Sequence, residues 1–144
     1  MSTSFSKTFE IPNRTEYLGQ ARDFVKDAVK ASRLRPDLHN KVVLAIDEAV
    51  SNIIEHAYDT ERHDKIEIAI ICGPKSMEVV IRDHGTHFDP GALPEVDMEA
   101  HLKSRNKNGL GIFMIRQIMD EIEYSFKEGV ENVLRLVKYY EEKT

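Results

Sequence analysis

Cysteine is nearly missing from this sequence: Cys72 stands alone. A single thiol excludes an intramolecular disulfide and any CxxC metal or redox pair, and it leaves Cys72 as expected buried filler within a strand. The histidines are scattered and lack thiolate neighbours, so a zinc site is not expected. Long apolar runs are missing too. No segment approaches the roughly 20 residues that a spanning helix needs, and MSTSFSKTFE has neither the basic region nor the apolar core of a secretory signal. The expectation is a cytoplasmic protein without membrane contact. Positive charge is not in excess either, because 25 acidic and 20 basic residues are interspersed and leave a net charge of −5. Such a chain offers no basic field to a nucleic-acid backbone, which argues against direct nucleic-acid binding.

What is present suffices for one compact domain over residues 1–144. A chain of this size buries roughly two thirds of its unfolded surface and needs no disulfide or structural metal. At 41% hydrophobic and 31% charged it has the balance of a folded globular protein, not of a disordered one. Residues 5–11 read as a strand. An amphipathic segment then runs from Pro12 and Asn13 to about Ser32, with Tyr17, Leu18, Ala21, Phe24, Val25, Ala28 and Val29 at helical spacing. Pro36 suits the first turn of a second helix, expected to reach about Tyr58.

Residues 65–71 and 77–82 alternate as two strands around the turn signal Gly73-Pro74-Lys75, which predicts an antiparallel hairpin. From Asp83 to about Asn108 periodicity fades, a length that points to functional use or a lid. A helix from Leu110 to about Asp120 follows, then strands near 121–127 and 132–139 joined through Glu128-Gly129. This order predicts an α/β sandwich: a mainly antiparallel mixed sheet with helices packed on one face. A doubly wound parallel sheet fits poorly, since the central strands have no crossover helix between them.

On the second helix, Leu38, Val42, Ala45, Ile46, Ala49, Val50, Ile53, Ile54 and Ala57 cover an arc of about 180°. Glu48 and Asn52 stand just beyond one edge of it, one turn apart, while Asp47, Ser51 and Glu55 are expected farther toward solvent. His56 falls inside the arc and reads as a packed structural histidine. A carboxylate and an amide so placed suit a Mg²⁺-ATP site, the amide oxygen ligating Mg²⁺ and the carboxylate orienting or deprotonating a hydroxyl. A solvated helix edge would show the same spacing. In DHGTHFDP, Asp83 ends a strand where its carboxylate can accept from the exocyclic amine of adenine, and Gly85 admits close approach to the backbone. An Asx turn that merely reverses the chain is the alternative.

In KNGLGIFMIRQIMD, Gly109 and Gly111 precede or open a helix, where backbone N–H groups can receive phosphate oxygens. Neither a Walker pattern nor GxGxxG is present, so any phosphate cradle here has a different geometry. Lys103, Arg105 and Lys107 are candidates to neutralise phosphate, or simply a solvated lid.

Together EAVSNIIEHAY, DHGTHFDP, NGLGIFMIRQIMDEIEY and GVENVLRLVKY resemble the ATP-binding fold shared by DNA gyrase B, the Hsp90 chaperone, histidine kinases and MutL, and above all the bacterial anti-sigma factor serine/threonine kinases. The resemblance spans almost the whole chain. It implies a histidine-kinase-like ATPase fold, Glu48 as general base or water-orienting residue, Asn52 as Mg²⁺ ligand, and Asp83 with Gly85 at the adenine. It further implies nucleotide contacts from Lys107, Gly109, Leu110, Gly111 and Asn132. The implied activity is transfer of the ATP γ-phosphoryl group to a small anti-sigma factor antagonist, with a sigma factor as second partner and a homodimer as the assembly. A regulatory protein-binding module without efficient transfer is the alternative. Two positions depart from the usual pattern: His87 replaces the second glycine of the Asp-x-Gly-x-Gly turn, and Asn132 stands where many relatives carry Thr.

Overall fold

The computed structural model describes residues 4–57, 63–85, 107–127 and 131–141, the side chains of 56, 57 and 107–112 excepted. Strand β1 (Phe5–Pro12) leads through a 3-10 turn at Thr15–Tyr17 into α1 (Leu18–Ala31) and α2 (Pro36–Ala57). The hairpin β2 (Lys65–Cys72) and β3 (Ser76–Asp83) comes next, then α3 (Lys107–Ile118), β4 (Glu121–Lys127) and β5 (Glu131–Tyr139).

The strands form a sheet in the order β1-β2-β3-β5-β4, and every pairing is antiparallel. The sheet is therefore not mixed: no parallel pair occurs among the described residues. The expected β2–β3 hairpin is present, its turn closed by the Gly73 N–H on the Ser76 carbonyl at 2.9 Å. Alternation drives these strands. Ile68 lies opposite Ile81 and Ile81 opposite Leu134, while Ile70, Val79 and Leu136 form the next row. All six are at most 2% exposed. Each such side chain contributes about 1.5–3 kcal/mol by leaving water.

The helices cover this inner face. Val42, Ala45, Ile46, Ala49, Val50, Ile53 and Ile54 of α2 are buried as the helical arc predicts. Val43, which falls within the same arc, is buried as well. Helix α2 packs against both α1 and α3 in addition to the sheet. Phe24 of α1 stacks on Phe9 of β1, ring centroids 5.2 Å apart. Cys72 is a free, buried thiol, as expected for strand filler.

Pro36 is the first residue of α2, where its missing N–H would have had no helical partner. Helix α3 starts at Lys107, three residues before the expected Leu110, and stops at Ile118, short of Asp120. Gly109 and Gly111 thus lie inside its first turns, at a cost of roughly 1 kcal/mol each relative to alanine. The open sheet face is charged: Arg135 pairs with Glu78 and, at 3.2 Å, with Glu123. No helix among the described residues is long and apolar enough to cross a membrane.

Candidate functional site

Strand order decides which polar groups meet. Because β5 inserts between β3 and β4, Asn132 lies directly opposite Asp83 at one end of the sheet. Both are buried polar residues, Asp83 at 3% and Asn132 at 2% exposure. Asp83 Oδ1 accepts from the Gly85 N–H at 2.9 Å and from Asn132 Nδ2 at 3.0 Å. Asn132 Nδ2 also donates to the Gly85 carbonyl at 2.8 Å. The Gly85 bond is an Asx turn, so the bland alternative for this segment is correct as local geometry. A merely reversing turn has no need to bury its carboxylate, however, and here burial pushes the Asp83 carboxyl up while the Asn132 and Gly85 hydrogen bonds pull it back down. A buried carboxylate on a firm backbone can recognise a ligand amine directionally.

On α2, Asn52 is only 1% exposed, and its Nδ2 has no hydrogen-bond partner among the described residues. An orphaned buried amide costs about 1–3 kcal/mol, and a bound ligand would recover it. Glu48, one turn earlier, is half-buried, and burial followed by the neighbouring charges of Asp47 and Glu55 raises its carboxyl above the ordinary value. Asp47 departs from its expected solvent position. Its side chain is 14% exposed, and its Oδ2 accepts from Arg22 of α1 at 3.1 Å. Helix α1 covers that flank of α2, a contact invisible in the periodicity of either helix. Asp47 Oδ1 has no partner among the described residues.

One cavity marks the ends of these elements that lie away from the candidate residues. Leu38, near the start of α2, lines a cavity of about 350 Å³ together with Arg35, Asp120, Lys138 and Tyr139. Asn52 lies about 21 Å farther along the helix axis. Asp83 and Asn132 lie about 23 Å from Tyr139 along their strands. The end of α3 is pinned near that cavity, where the Asp120 N–H donates to the Val137 carbonyl at 2.8 Å. Lys107, Gly109, Leu110 and Gly111 therefore occupy the opposite end of α3, which packs against α2. The cavity itself is remote from Glu48, Asn52 and Asp83. His87, Lys103, Arg105 and Gly129 lie outside the described residues, as does the His56 side chain.

A neighbouring polar knot was not foreseen from sequence. Asn13, 2% exposed, donates its N–H to the Asp64 carbonyl at 3.0 Å and accepts the Asp64 N–H on Oδ1 at 3.0 Å. Asp64 Oδ1 in turn stands 3.6 Å from His84 Nδ1, next to Asp83. The sequence marks Pro12 and Asn13 only as the start of the amphipathic segment, with nothing that signals a clamp on Asp64.

The fold agrees with comparisons to known proteins. The family model described as the histidine kinase-like ATPase domain matches residues 11–138. The chain belongs to that family. It is similar to the serine-protein kinase RsbW of Listeria monocytogenes serovar 1/2a, at 26% identity over 99% of this chain and 93% of the relative. It is also similar to the serine-protein kinase RsbW of Bacillus thuringiensis, at 30% identity over 84% of this chain and 78% of the relative. A chain in the crystal structure of the SiaB-SiaC complex from Pseudomonas aeruginosa shares the fold, with a TM-score of 0.66 at 19% identity over 92% of this chain and 88% of that one.

Proposed function

We propose that this protein is an ATP-dependent serine/threonine kinase of the partner-switching type, an anti-sigma factor that phosphorylates a small antagonist protein in the cytoplasm. The observation that carries the reading is the buried Asp83, held by Gly85 and Asn132, and the buried amide nitrogen of Asn52 on α2, unpartnered among the described residues, supports it. Similarity to proteins named serine-protein kinase RsbW supports the reaction type.

In this reading Asp83 accepts from the adenine amine, and Gly85 leaves room for the base. The backbone of Gly109, Leu110 and Gly111, with Lys107, receives the phosphates at the first turns of α3. Asn52 fits Mg²⁺: its amide oxygen is a hard ligand, and this metal is commonly held by one or two protein groups plus phosphate oxygens. When bound, the ion compensates phosphate charge. Glu48 orients the acceptor hydroxyl and takes its proton while the hydroxyl oxygen bonds to the γ-phosphorus and the bridging bond to ADP breaks. Its raised pKa makes it a better base once deprotonated.

A nucleotide-dependent binding module is the second reading, favoured by His87 in place of the usual glycine. Incubation with labelled ATP and candidate antagonist proteins separates the two. Label on a serine or threonine of the antagonist is the expected result. Nucleotide-dependent capture of the antagonist without label would leave only the binding module, and a homodimer would appear as a doubled mass in light scattering.

A further inference from the structure

One side-chain amide closes the turn after β3 at two points. Asn132 Nδ2 donates to Asp83 Oδ1 at 3.0 Å and to the Gly85 carbonyl at 2.8 Å. An amide nitrogen carries two protons, so both are already engaged and Nδ2 has none to offer a nucleotide. The Gly85 N–H reinforces the same carboxylate oxygen at 2.9 Å, and none of these bonds uses Asp83 Oδ2.

We infer that Asn132 is a positioning residue whose amide nitrogen makes no ligand contact: it reads the 6-amino group of adenine through Asp83, by leaving Oδ2 as the acceptor and stapling Gly85 to β5. The inference rests on the reading of Asp83 as the adenine-recognising group. It revises, for the amide nitrogen, the direct nucleotide contact that the family resemblance implies for position 132.

Burial makes the staple consequential. With both residues at most 3% exposed, no bulk water replaces a lost bond. Removing the Asn132 donor would leave burial to push the Asp83 carboxyl toward its neutral form, which carries an O–H donor where adenine requires an acceptor. Threonine at this position would supply one hydroxyl proton, enough for Asp83 or for Gly85 but not for both. The asparagine therefore adds a tie to Gly85 that a hydroxyl cannot make while holding Asp83.

The test compares ATP with purine riboside triphosphate, which has hydrogen in place of the 6-amino group, by titration calorimetry. Wild-type protein is expected to prefer ATP by about 10-fold or more, in line with a hydrogen bond to a charged group. Asn132→Ala should abolish most of that preference while holding affinity for the analogue within about threefold, and adding it to Asp83→Asn should cost ATP little more. Asn132→Thr should keep an intermediate preference, which decides the matter if the alanine variant does not fold. Equal weakening of both nucleotides, or losses for ATP that add to those of Asp83→Asn, would overturn the positioning role. An unchanged ATP preference in well-folded Asp83→Asn would overturn the adenine reading instead, so the two failures are distinguishable.

Discussion

Arg22 and Asp47 tie α1 to α2 through a single contact of 3.1 Å, and that contact lies one residue from Glu48. Asp47 is the second-ranking cause, after burial, of the raised Glu48 carboxyl. The charge that α1 anchors is therefore part of the electrostatic setting of the proposed base.

This setting has a consequence for pH. A general base works only when deprotonated, so phosphoryl transfer should rise with pH and level off once the medium passes the raised pKa of Glu48. Asp47→Asn removes one raising influence, and the acid limb of the profile should move to lower pH. Single-turnover rates across the mildly acidic to neutral range, at saturating ATP, measure this. A limb that moves the other way would count against Glu48 as the titrating group.

Glu48→Gln keeps volume and helix propensity but removes the proton acceptor. Mg²⁺-ATP affinity should survive, because Asn52, Asp83 and the α3 turns remain, while transfer to the antagonist falls by about 100-fold or more. Matched calorimetry and single-turnover phosphorylation check it. Near-normal transfer would remove Glu48 from catalysis, and lost nucleotide affinity would place it in the binding site.

Asp83→Asn should weaken ATP binding by about 10-fold or more, the usual effect of removing a hydrogen bond to a charged group, with the fold intact. Titration at saturating Mg²⁺ and a thermal melt give both numbers. Unchanged affinity in the folded variant would exclude Asp83 from the adenine site.

Gly111→Val introduces a β-branched side chain into the first turns of α3, where backbone and phosphate are proposed to meet. The loss of affinity should be larger for ATP than for adenosine. Equal losses for the two ligands would indicate general damage to the cleft.

Ile68→Ala, at the centre of the sheet and 0% exposed, should lower unfolding free energy by about 2–5 kcal/mol in a denaturant titration. Arg135→Met, on the open sheet face, should change it by less than about 1 kcal/mol despite its several carboxylate neighbours, because half-exposed ion pairs contribute little.

Local periodicity determined much of this molecule without help. The alternation of Ile66, Ile68 and Ile70 and of Met77, Val79 and Ile81 is enough to name two strands and their buried face, since a strand repeats every second residue. The arc from Val42 to Ile54 likewise identifies the buried side of α2 and places Glu48 and Asn52 at its rim. Other relationships belong to the tertiary structure. That Asp83 faces Asn132 follows from β5 entering the sheet beside β3, a choice made by packing over a separation of 49 residues. That Asp47 is covered follows from where α1 lies on α2, and that Asn13 locks Asp64 follows from the pairing of β1 with β2. The helical and strand periods are set by each residue's own backbone and nearest neighbours, whereas a hydrogen bond between distant side chains exists only once the whole chain has closed around them.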